Sequence, residues 1–426
     1  MHATKIHYRM IIQRDNYLNQ LISARGNGLI KIITGIRRCG KSFLLSTLFR
    51  NYLDAQGVAP GHIIDIALDD RKNMKLRDPD ELLRHIDDIV TDGEVYYILL
   101  DEVQMIEDFV GVLNSLLHKK NVDVYVTGSN SRFLSKDIAT EFRGRGQDIH
   151  MYPLSFAEYY SAVGGDKSDA YIQYYTFGGL PQILSVAGMQ AKREYLMRLD
   201  TTVYIRDMLE RNKVRNTEEF EEMLKIIASS IGSPCNPTKL SNTFKSLKNV
   251  NITPQTLALY LGYAEDAFMI EKAVRYNIKG KKYINTLVKY YFTDMGLRNA
   301  FTGFRQIEET HLMENIIYNE LRIRGFKVDV GCVEAVVRDK DGVARRLLYE
   351  VDFVADRGDR RFYIQSALSV PDAEKMRQET ESFRRISDSF TKVLIIGRNI
   401  MPYHDDNGYL IMGIYDFLLR NDSLYL

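Results

Sequence analysis

The fold is decided by the stretch Gly35-Ile36-Arg37-Arg38-Cys39-Gly40-Lys41-Ser42, which has the form G-x-x-x-x-G-K-[ST]. A short apolar run precedes it at residues 29–33, and a helical apolar pattern follows it at residues 43–48. A strand, a glycine-rich loop and a helix in this order turn backbone N–H groups and a helix N-terminus towards phosphate. The stretch therefore predicts a phosphate-binding loop in an α/β fold.

The motif assigns a role to several residues of this loop. Lys41 is expected to reach the β and γ phosphates, and the Ser42 hydroxyl is expected to bind Mg²⁺. The other positions expected to contact the nucleotide are Gly35, Arg38, Cys39, Gly40 and Phe43. Cys39 lies at a helix N-terminus, where a thiol is more readily oxidised. The motif accepts any residue at this position, so Cys39 is also interpreted as a simple filler.

A second apolar run, residues 95–100, ends in Asp101 and Glu102, 60 residues after Lys41. The run fits a strand buried on both faces, and ligands of open α/β sheets bind where such strands end. Asp101 is expected to hold Mg²⁺ through water, and Glu102 to polarise the attacking water. An isolated Asp-Glu pair often marks only a solvated strand end, but the phosphate loop upstream favours the nucleotide site.

A third strand is predicted at residues 122–127, and the polar turn Gly128-Ser129-Asn130-Ser131 follows it. Asn130 is the candidate for sensing the γ-phosphate, with Ser129 and Ser131 as alternatives, although these residues are also common in ordinary turns. Arg143 and Arg145 come next, and either could act as an arginine finger across a subunit boundary. Exposed loop arginines are the competing interpretation, and a finger acting in trans would imply a homo-oligomer.

Further motifs extend along the chain: Leu99-Leu100-Asp101-Glu102, Thr127-Gly128-Ser129-Asn130-Ser131, Tyr152-Pro153-Leu154-Ser155-Phe156, Phe177-Gly178-Gly179-Leu180-Pro181, and residues 289–298 and 314–321. With these motifs the chain resembles the bacterial and archaeal AAA+ ATPases that carry a C-terminal domain of unknown function. The resemblance covers nearly the whole chain. It implies ATP binding and leaves the physiological task open.

Four parts are predicted along the chain. Residues 1–156 form an AAA+ P-loop nucleotide-binding core with a parallel sheet, and the helical pattern of residues 157–216 predicts a helical lid. Residues 217–298 show three helices followed by two short strands, the order of a winged helix, with Thr253-Pro254 starting the recognition helix and residues 277–282 as the wing. Residues 299–426 alternate helix and strand and predict a restriction-endonuclease-like α/β domain.

A local excess of basic residues lies between residues 239 and 289. This segment contains nine basic residues and three acidic ones, so it could contact the phosphates of duplex DNA. The recognition helix is not rich in arginine, so an interaction module with a solvated basic face is the competing interpretation. The sequence leaves both open, and a nucleotide-gated DNA-binding regulator is the alternative to an ATPase switch.

A degenerate nuclease site is predicted in residues 299–426. In the restriction-endonuclease-like fold a helix Glu, a strand Asp and an E-x-K motif gather around Mg²⁺, and the matching positions here are Glu320, Asp352 and Gln365-Ser366-Ala367. Gln at the carboxylate position weakens metal binding, and Ala removes the cation that would stabilise the transition state. The expectation is a nuclease-like fold without nuclease activity, and an ATP-dependent nuclease is the least favoured hypothesis.

Composition limits the remaining possibilities. A chain of 426 residues exceeds the size of one ordinary core, so two or three domains are expected. The 57 basic and 56 acidic residues nearly cancel, which leaves no whole-molecule field to attract nucleic acid or membrane. The three cysteines fit neither a disulfide framework nor a zinc site. With no apolar run of about 18 residues, the expectation is a cytoplasmic protein that binds ATP and Mg²⁺ and no membrane.

Overall fold

The structure is a computed structural model of the chain, and it describes residues 11–129, 144–199, 204–214, 216–305, 307–338 and 344–426. The chain divides into two compact units. The first comprises residues up to 153 together with residues 160–163 and 266–268. The second comprises residues 154–159, 164–265 and 269–426.

The first unit contains a five-stranded parallel sheet. Its strands are β1 (Ile30–Thr34), β2 (Ile63–Ala67), β3 (Tyr96–Asp101), β4 (Val122–Gly128) and β5 (Gly146–His150), in the order β2-β3-β4-β1-β5. All four strand pairings are parallel. Every residue of β1 and β3 is buried, which explains why their sequences are almost continuously apolar. The expected α/β P-loop core with a parallel sheet is confirmed.

Helices of the first unit follow the strands. They are α1 (Asp15–Ser23), α2 (Lys41–Phe43), α3 (Arg50–Ala55), α4 (Pro79–Ile89) and α5 (Phe109–Leu117), with a π-helical stretch, Leu44–Phe49, between α2 and α3. Local signals set their ends. The Asp78 carboxylate accepts hydrogen bonds from two backbone N–H groups of the first turn of α4, and Pro79 occupies the first helical position.

The second unit begins with a run of helices. They are α6 (Phe156–Val163), α7 (Lys167–Phe177), α8 (Met189–Leu199), α9 (Arg206–Asn212), α10 (Thr217–Ser229), α11 (Pro237–Lys248) and α12 (Pro254–Asp266), of which α6 has residues in both units. The helical pattern predicted from residue 157 onwards agrees with these elements. The Asn236 side chain caps α11, whose first residue is again a proline.

An eight-stranded mixed sheet follows. Its strands are β6 (Ile270–Asn277), β7 (Lys282–Phe292), β8 (Lys327–Arg338), β9 (Ala344–Arg357), β10 (Arg360–Ala367), β11 (Thr391–Ile396), β12 (Tyr403–His404) and β13 (Leu410–Gly413). Their order is β12-β13-β11-β10-β9-β8-β6-β7. The accompanying helices are α13 (Met295–Phe301), α14 (Glu309–Ile323), α15 (Ala373–Glu379), α16 (Glu381–Arg384) and α17 (Ile414–Leu419).

This sheet crosses the predicted boundary between residues 298 and 299. Strand β6 pairs in parallel with β8, and Arg275 lies opposite Val330. The two strands predicted for the winged helix therefore share one sheet with the strands predicted for the C-terminal domain. The division into four parts stays a prediction.

Candidate functional site

The phosphate loop connects β1 to α2 and adopts a backbone that requires glycine. Gly35 and Gly40 have φ values of 144° and 107°, in the region that favours glycine. A Cβ on Gly35 would lie 2.1 Å from the carbonyl oxygen of Met151, so no larger residue fits there. Arg38 also has a positive φ, of 63°, and its side chain is exposed. The loop is thus held tightly at its first residue.

Lys41 is turned into the loop. Its ammonium donates hydrogen bonds to the carbonyl oxygens of Gly35, at 2.9 Å, and Ile36, at 3.1 Å. The side chain is buried. A lysine with three donors is therefore fixed inside the loop in which the motif expects it. The thiol of Cys39 is fully buried, which agrees with the filler interpretation.

Asp101 ends β3 and Glu102 directly follows it, and one hydroxyl contacts both residues. Thr127, on the neighbouring strand β4, donates to Asp101 Oδ1, and its Oγ1 accepts a hydrogen bond from the backbone N–H of Glu102 at 2.9 Å. Burial raises the pKa of Asp101, and hydrogen bonds from Thr127 and Ser42 oppose that rise. The hydroxyls of Thr127 and Ser42 therefore stabilise the ionised form of Asp101.

Glu102 has an unusual backbone conformation and several side-chain contacts. Its φ of 55° and ψ of 49° are left-handed, which costs energy in a residue other than glycine. Its Oε2 accepts a hydrogen bond from the Gln104 amide and another from Ser129 Oγ, at 3.3 Å. Two donors, Gln104 and Ser129, therefore orient the carboxylate group of Glu102.

The remaining candidates are less well placed. Asn130, Ser131 and Arg143 lie outside the described residues, whereas Ser129, an alternative to Asn130, contacts Glu102. Arg145 is exposed, and its carbonyl oxygen accepts a hydrogen bond from the N–H of Ile30, at the beginning of β1. The phosphate loop follows the opposite end of β1, about 13 Å away at the rise of a strand. Arg145 therefore lies near the end of β1 that is away from the phosphate loop, and its role as an arginine finger stays a prediction.

The motifs of the second unit form a buried polar network. Asp294 accepts hydrogen bonds from the N–H of Gly179, at 2.7 Å, and of Leu297, at 2.9 Å, and burial raises its pKa to about 6. The Asn315 side chain pairs with both backbone groups of Phe292. The glycine pair at residues 178–179 and the motifs at 289–298 and 314–321 are therefore neighbours.

A cluster of charges lies beside this network. The ammonium of Lys289 is 2.9 Å from Glu314 Oε1 and 2.9 Å from Glu350 Oε1. Asp352 Oδ2 accepts hydrogen bonds from the N–H and the hydroxyl of Ser366, at 2.8 and 2.7 Å. Burial and, after it, the charge of Glu314 raise the pKa of Asp352 to about 7.

This cluster corrects the expected position of the helix carboxylate. The glutamate that interacts with Asp352 is Glu314, whereas Glu320 forms an ion pair with Arg324 at 2.7 Å. Six residues of helix rotate a side chain by about 600°, which leaves the two glutamates about 120° apart. Gln365 and Ala367 occupy the positions expected of them on β10, and Gln365 Oε1 lies 3.4 Å from the N–H of Asp352. Within the described ranges, no group of three His, Cys, Asp or Glu residues is arranged to bind a metal ion.

The sequence does not identify several of these residues as parts of a site. Thr127 and Gln104 lie inside motifs that the sequence singled out, but their contacts depend on neighbouring strands and turns. Arg14, which contacts the phosphate loop, and the cluster around Lys289 carry no local pattern at all.

No helix in the part of the chain that the structure describes is long and apolar enough to cross a membrane.

Comparisons with known proteins agree with the nucleotide site. The AAA domain family matches residues 27–160, and a domain of unknown function, DUF8612, matches residues 168–308. An uncharacterized protein of Haemophilus influenzae is 32% identical over 418 residues, which are 97% of this chain and 100% of the relative. An uncharacterized protein of Methanocaldococcus jannaschii is 26% identical over 391 residues, which are 88% of this chain and 82% of that relative.

Among solved structures, the Walker-type ATPase of Pyrococcus abyssi is similar with a TM-score of 0.46 and 16% identity, over 68% of this chain and 96% of that protein. The match to the Haemophilus influenzae protein extends over its full length. At that identity and coverage, the chain belongs to one family with the Haemophilus influenzae protein, and residues 27–160 make it a P-loop protein of the AAA ATPase type.

Proposed function

We propose that this protein is a magnesium-dependent ATP hydrolase whose turnover drives a conformational change. The observation that carries the proposal is the Thr127 hydroxyl, which contacts both Asp101 and the backbone of Glu102. It fixes the relative position of a carboxylate suited to a metal and one suited to water. Release of ADP would then leave the loop free to bind the next ATP.

The loop fits the phosphates of ATP. Gly35 and Gly40 keep side chains away from its backbone, and helix α2 begins directly after it. Two of the three Lys41 donors are used by loop carbonyls, so the third can contact a phosphate oxygen. Lys41 thus brings positive charge to the phosphates without having to be reoriented.

Asp101 and Ser42 suit Mg²⁺. The Ser42 hydroxyl interacts with Asp101, and the burial that raises the pKa of Asp101 would be offset by a nearby cation. Hydroxyl, carboxylate and water oxygens are the ligands that this ion prefers. When bound, Mg²⁺ supplies neutralisation of phosphate charge.

Glu102 is the proposed general base. It would accept a proton from water while the water oxygen bonds to the γ-phosphorus. The bond from the γ-phosphorus to the bridging oxygen breaks, and ADP leaves with the electron pair. Gln104 and Ser129 hold the carboxylate of Glu102 for this step, and Lys41 offsets the charge that develops on the phosphate.

Magnesium-dependent ATP hydrolysis by the purified protein tests the proposal. Lys41→Ala should lose ATP binding, whereas Glu102→Gln should bind ATP and hydrolyse it about 100-fold more slowly or worse. The exposed Lys72 provides a control, since Lys72→Ala should behave as the unsubstituted protein. Normal hydrolysis by Glu102→Gln would refute the catalytic assignment. A rate that rises more than linearly with protein concentration would support an arginine finger in trans.

Nucleotide-gated DNA binding is a second candidate, favoured by three exposed lysines: Lys279 and Lys281 in the turn between β6 and β7, and Lys282 at the beginning of β7. At least five of the nine basic residues between 239 and 289 contact other groups of this chain. Lys248 pairs with Glu222, and Arg275 and Lys289 contact Glu350. Lys239 and Lys279 donate to the carbonyl oxygens of Pro234 and Glu334. The exposed side of α12, with Ala258 and Leu259, carries no basic residue. A salt-dependent duplex DNA shift that weakens when the three lysines become alanine would support this candidate. A flat response would remove it.

For residues 309–426 we propose a restriction-endonuclease-like arrangement without nuclease activity. Helix α14, the antiparallel strands β8, β9 and β10, and the parallel β11 support this arrangement. Gln365 and Ala367 stand where a carboxylate and a lysine would be needed. Duplex DNA should therefore remain intact with ATP and either Mg²⁺ or Mn²⁺, and cleavage would restore the nuclease hypothesis.

A further inference from the structure

Arg14 is an almost fully buried arginine that contacts the phosphate loop. Its side chain is 2% exposed, and it directly precedes helix α1. The guanidinium donates to the carbonyl oxygen of Cys39 at 3.0 Å, to that of Tyr152 at 2.8 Å and to that of Pro153 at 3.5 Å. Burying a cation is unfavourable unless its donors are satisfied. Backbone carbonyls of two segments that are distant in sequence accept hydrogen bonds from the guanidinium of Arg14.

The contact with Cys39 controls the direction of a loop N–H group. The carbonyl of Cys39 and the N–H of Gly40 belong to one planar trans peptide unit, so they point in opposite directions. Because Arg14 binds the carbonyl of Cys39, the N–H of Gly40 points away from the Arg14 side chain. Phosphate binding by such a loop uses backbone N–H groups that are directed at the phosphate.

The second set of contacts is with residues 151–153, here called the connecting segment. Met151 donates its N–H to the carbonyl of Thr34 at 2.8 Å, and its own carbonyl oxygen leaves no room for a Cβ on Gly35. The N–H of Tyr152 donates to the hydroxyl of Tyr17 at 3.1 Å. The connecting segment thus contacts the first residue of the loop directly and a later one through Arg14.

The connecting segment is also where the first unit ends. Pro153 is its last residue before Leu154, the first residue of the second unit. Any change in the loop that shifts the Cys39 carbonyl must either stretch the hydrogen bonds of Arg14 or move residues 152 and 153 with it. Charge-assisted hydrogen bonds are among the stronger ones in proteins, so the second outcome is favoured.

We propose that Arg14 is a positioning residue that orients the Gly40 N–H for phosphate and couples the phosphate loop to the connecting segment. The inference rests on the proposed ATP binding and adds to it the route by which the state of the loop reaches residues 152 and 153.

Three variants test the inference by ATP affinity in the full chain. Arg14→Met removes the charge and all its hydrogen bonds, and it should weaken ATP binding by about tenfold or more. Arg14→Lys keeps the charge but cannot bridge two segments as a planar guanidinium does, so its affinity should be intermediate. Arg298→Met is the matched control, because Arg298 is 1% exposed and donates to the carbonyl of Ala228 in the second unit. It should lose stability and keep ATP affinity within about twofold.

Hydrogen exchange measured without ATP provides a readout that does not depend on nucleotide binding. Without ATP, amides of residues 35–42 and 150–152 should exchange faster in Arg14→Lys than in the unsubstituted protein. With ATP, protection should reach residues 150–152 in the unsubstituted protein and only the loop in Arg14→Lys.

A folded Arg14→Met protein that binds ATP within twofold of the unsubstituted protein would overturn the inference. If Arg14→Met does not fold, unchanged exchange in Arg14→Lys overturns it instead. Failure of the unsubstituted protein to bind ATP removes the proposed function. The exchange without nucleotide still decides whether Arg14 holds the loop.

Discussion

Replacing Thr127 by valine tests the centre of the nucleotide site with a change of almost no volume. The Thr127 hydroxyl donates to Asp101 and accepts from the N–H of Glu102. Valine has the same shape but no hydroxyl, so both contacts are lost. Asp101 then depends on Ser42 among its hydroxyl partners, and the left-handed backbone of Glu102 loses one of its restraints.

The expected cost follows from the two contacts. A hydrogen bond to a charged group contributes about 1.5–3 kcal/mol, and a neutral one about 0.5–1.5 kcal/mol. Thr127→Val should therefore lower the free energy of unfolding by roughly 2–4 kcal/mol. The pKa of Asp101, already raised by burial, should rise further because the hydroxyl that opposes this rise is gone. The acid limb of ATP hydrolysis should shift to higher pH.

Urea denaturation and the pH profile of hydrolysis measure the two effects. Thr380→Val is the matched control, because the buried Thr380 donates to the carbonyl of Met376 at 2.8 Å in the second unit. It should cost about 1 kcal/mol and leave the pH profile in place. If Thr127→Val has the stability and the pH profile of the unsubstituted protein, Thr127 does not link the Asp101 carboxylate to the backbone of Glu102, and the site assignment fails.

Three further outcomes are expected. Gly35→Ala should abolish ATP binding because its Cβ would meet Met151, whereas Gly61→Ala, with no atom within 4 Å, should bind ATP normally; equal titration curves would contradict this. Lys289→Met should lower the free energy of unfolding by about 3–5 kcal/mol because it removes the cation that pairs with the buried carboxylate of Glu314. Lys375→Met, at an exposed pair, should stay within about 0.5 kcal/mol, and similar losses in urea would refute the contrast. For Asp294, a folded-state pKa of about 6 against the usual 3.8 means that its stabilising contribution is complete below pH 4 or so, and is lost as pH rises through 6. Asp294→Asn should therefore show a smaller fall in unfolding free energy between pH 4 and 7, and an unchanged fall would exclude Asp294 as its source.

The nucleotide site could be predicted from sequence because its parts are local. Eight consecutive residues determine the loop, and the last residues of a buried strand determine the position of Asp101 and Glu102. Arg14 shows the opposite case, since its partners, Cys39 and Tyr152, are 25 and 138 residues away along the chain. No spacing rule connects residues that meet only after the sheet has formed.

The C-terminal part shows a different reason for the remaining errors. The apolar pattern predicts a helix at residues 312–324 and the structure has it at Glu309–Ile323, but all its residues from Leu312 to Leu321 are buried, both charged and apolar. A helix buried on all sides has no polar face to identify the side that carries the functional carboxylate. Glu320 was therefore as good a candidate as Glu314. The parallel pairing of β6 with β8 could not be predicted either, because the sequence of a strand indicates its burial but not which strand lies beside it.

Lys289 offsets the charge of a cluster of carboxylates in the second unit. Carboxylates gathered in a buried site repel one another, and a cation must offset that repulsion. Here the ammonium of Lys289 contacts Glu314 and Glu350 together, and its charge opposes the rise in the pKa of Asp352. The positive charge that a divalent ion would supply is thus partly provided by the chain itself. In the proposed restriction-endonuclease-like arrangement, Gln365 and Ala367 would remove catalysis, whereas Lys289 would keep the cation that offsets the carboxylates.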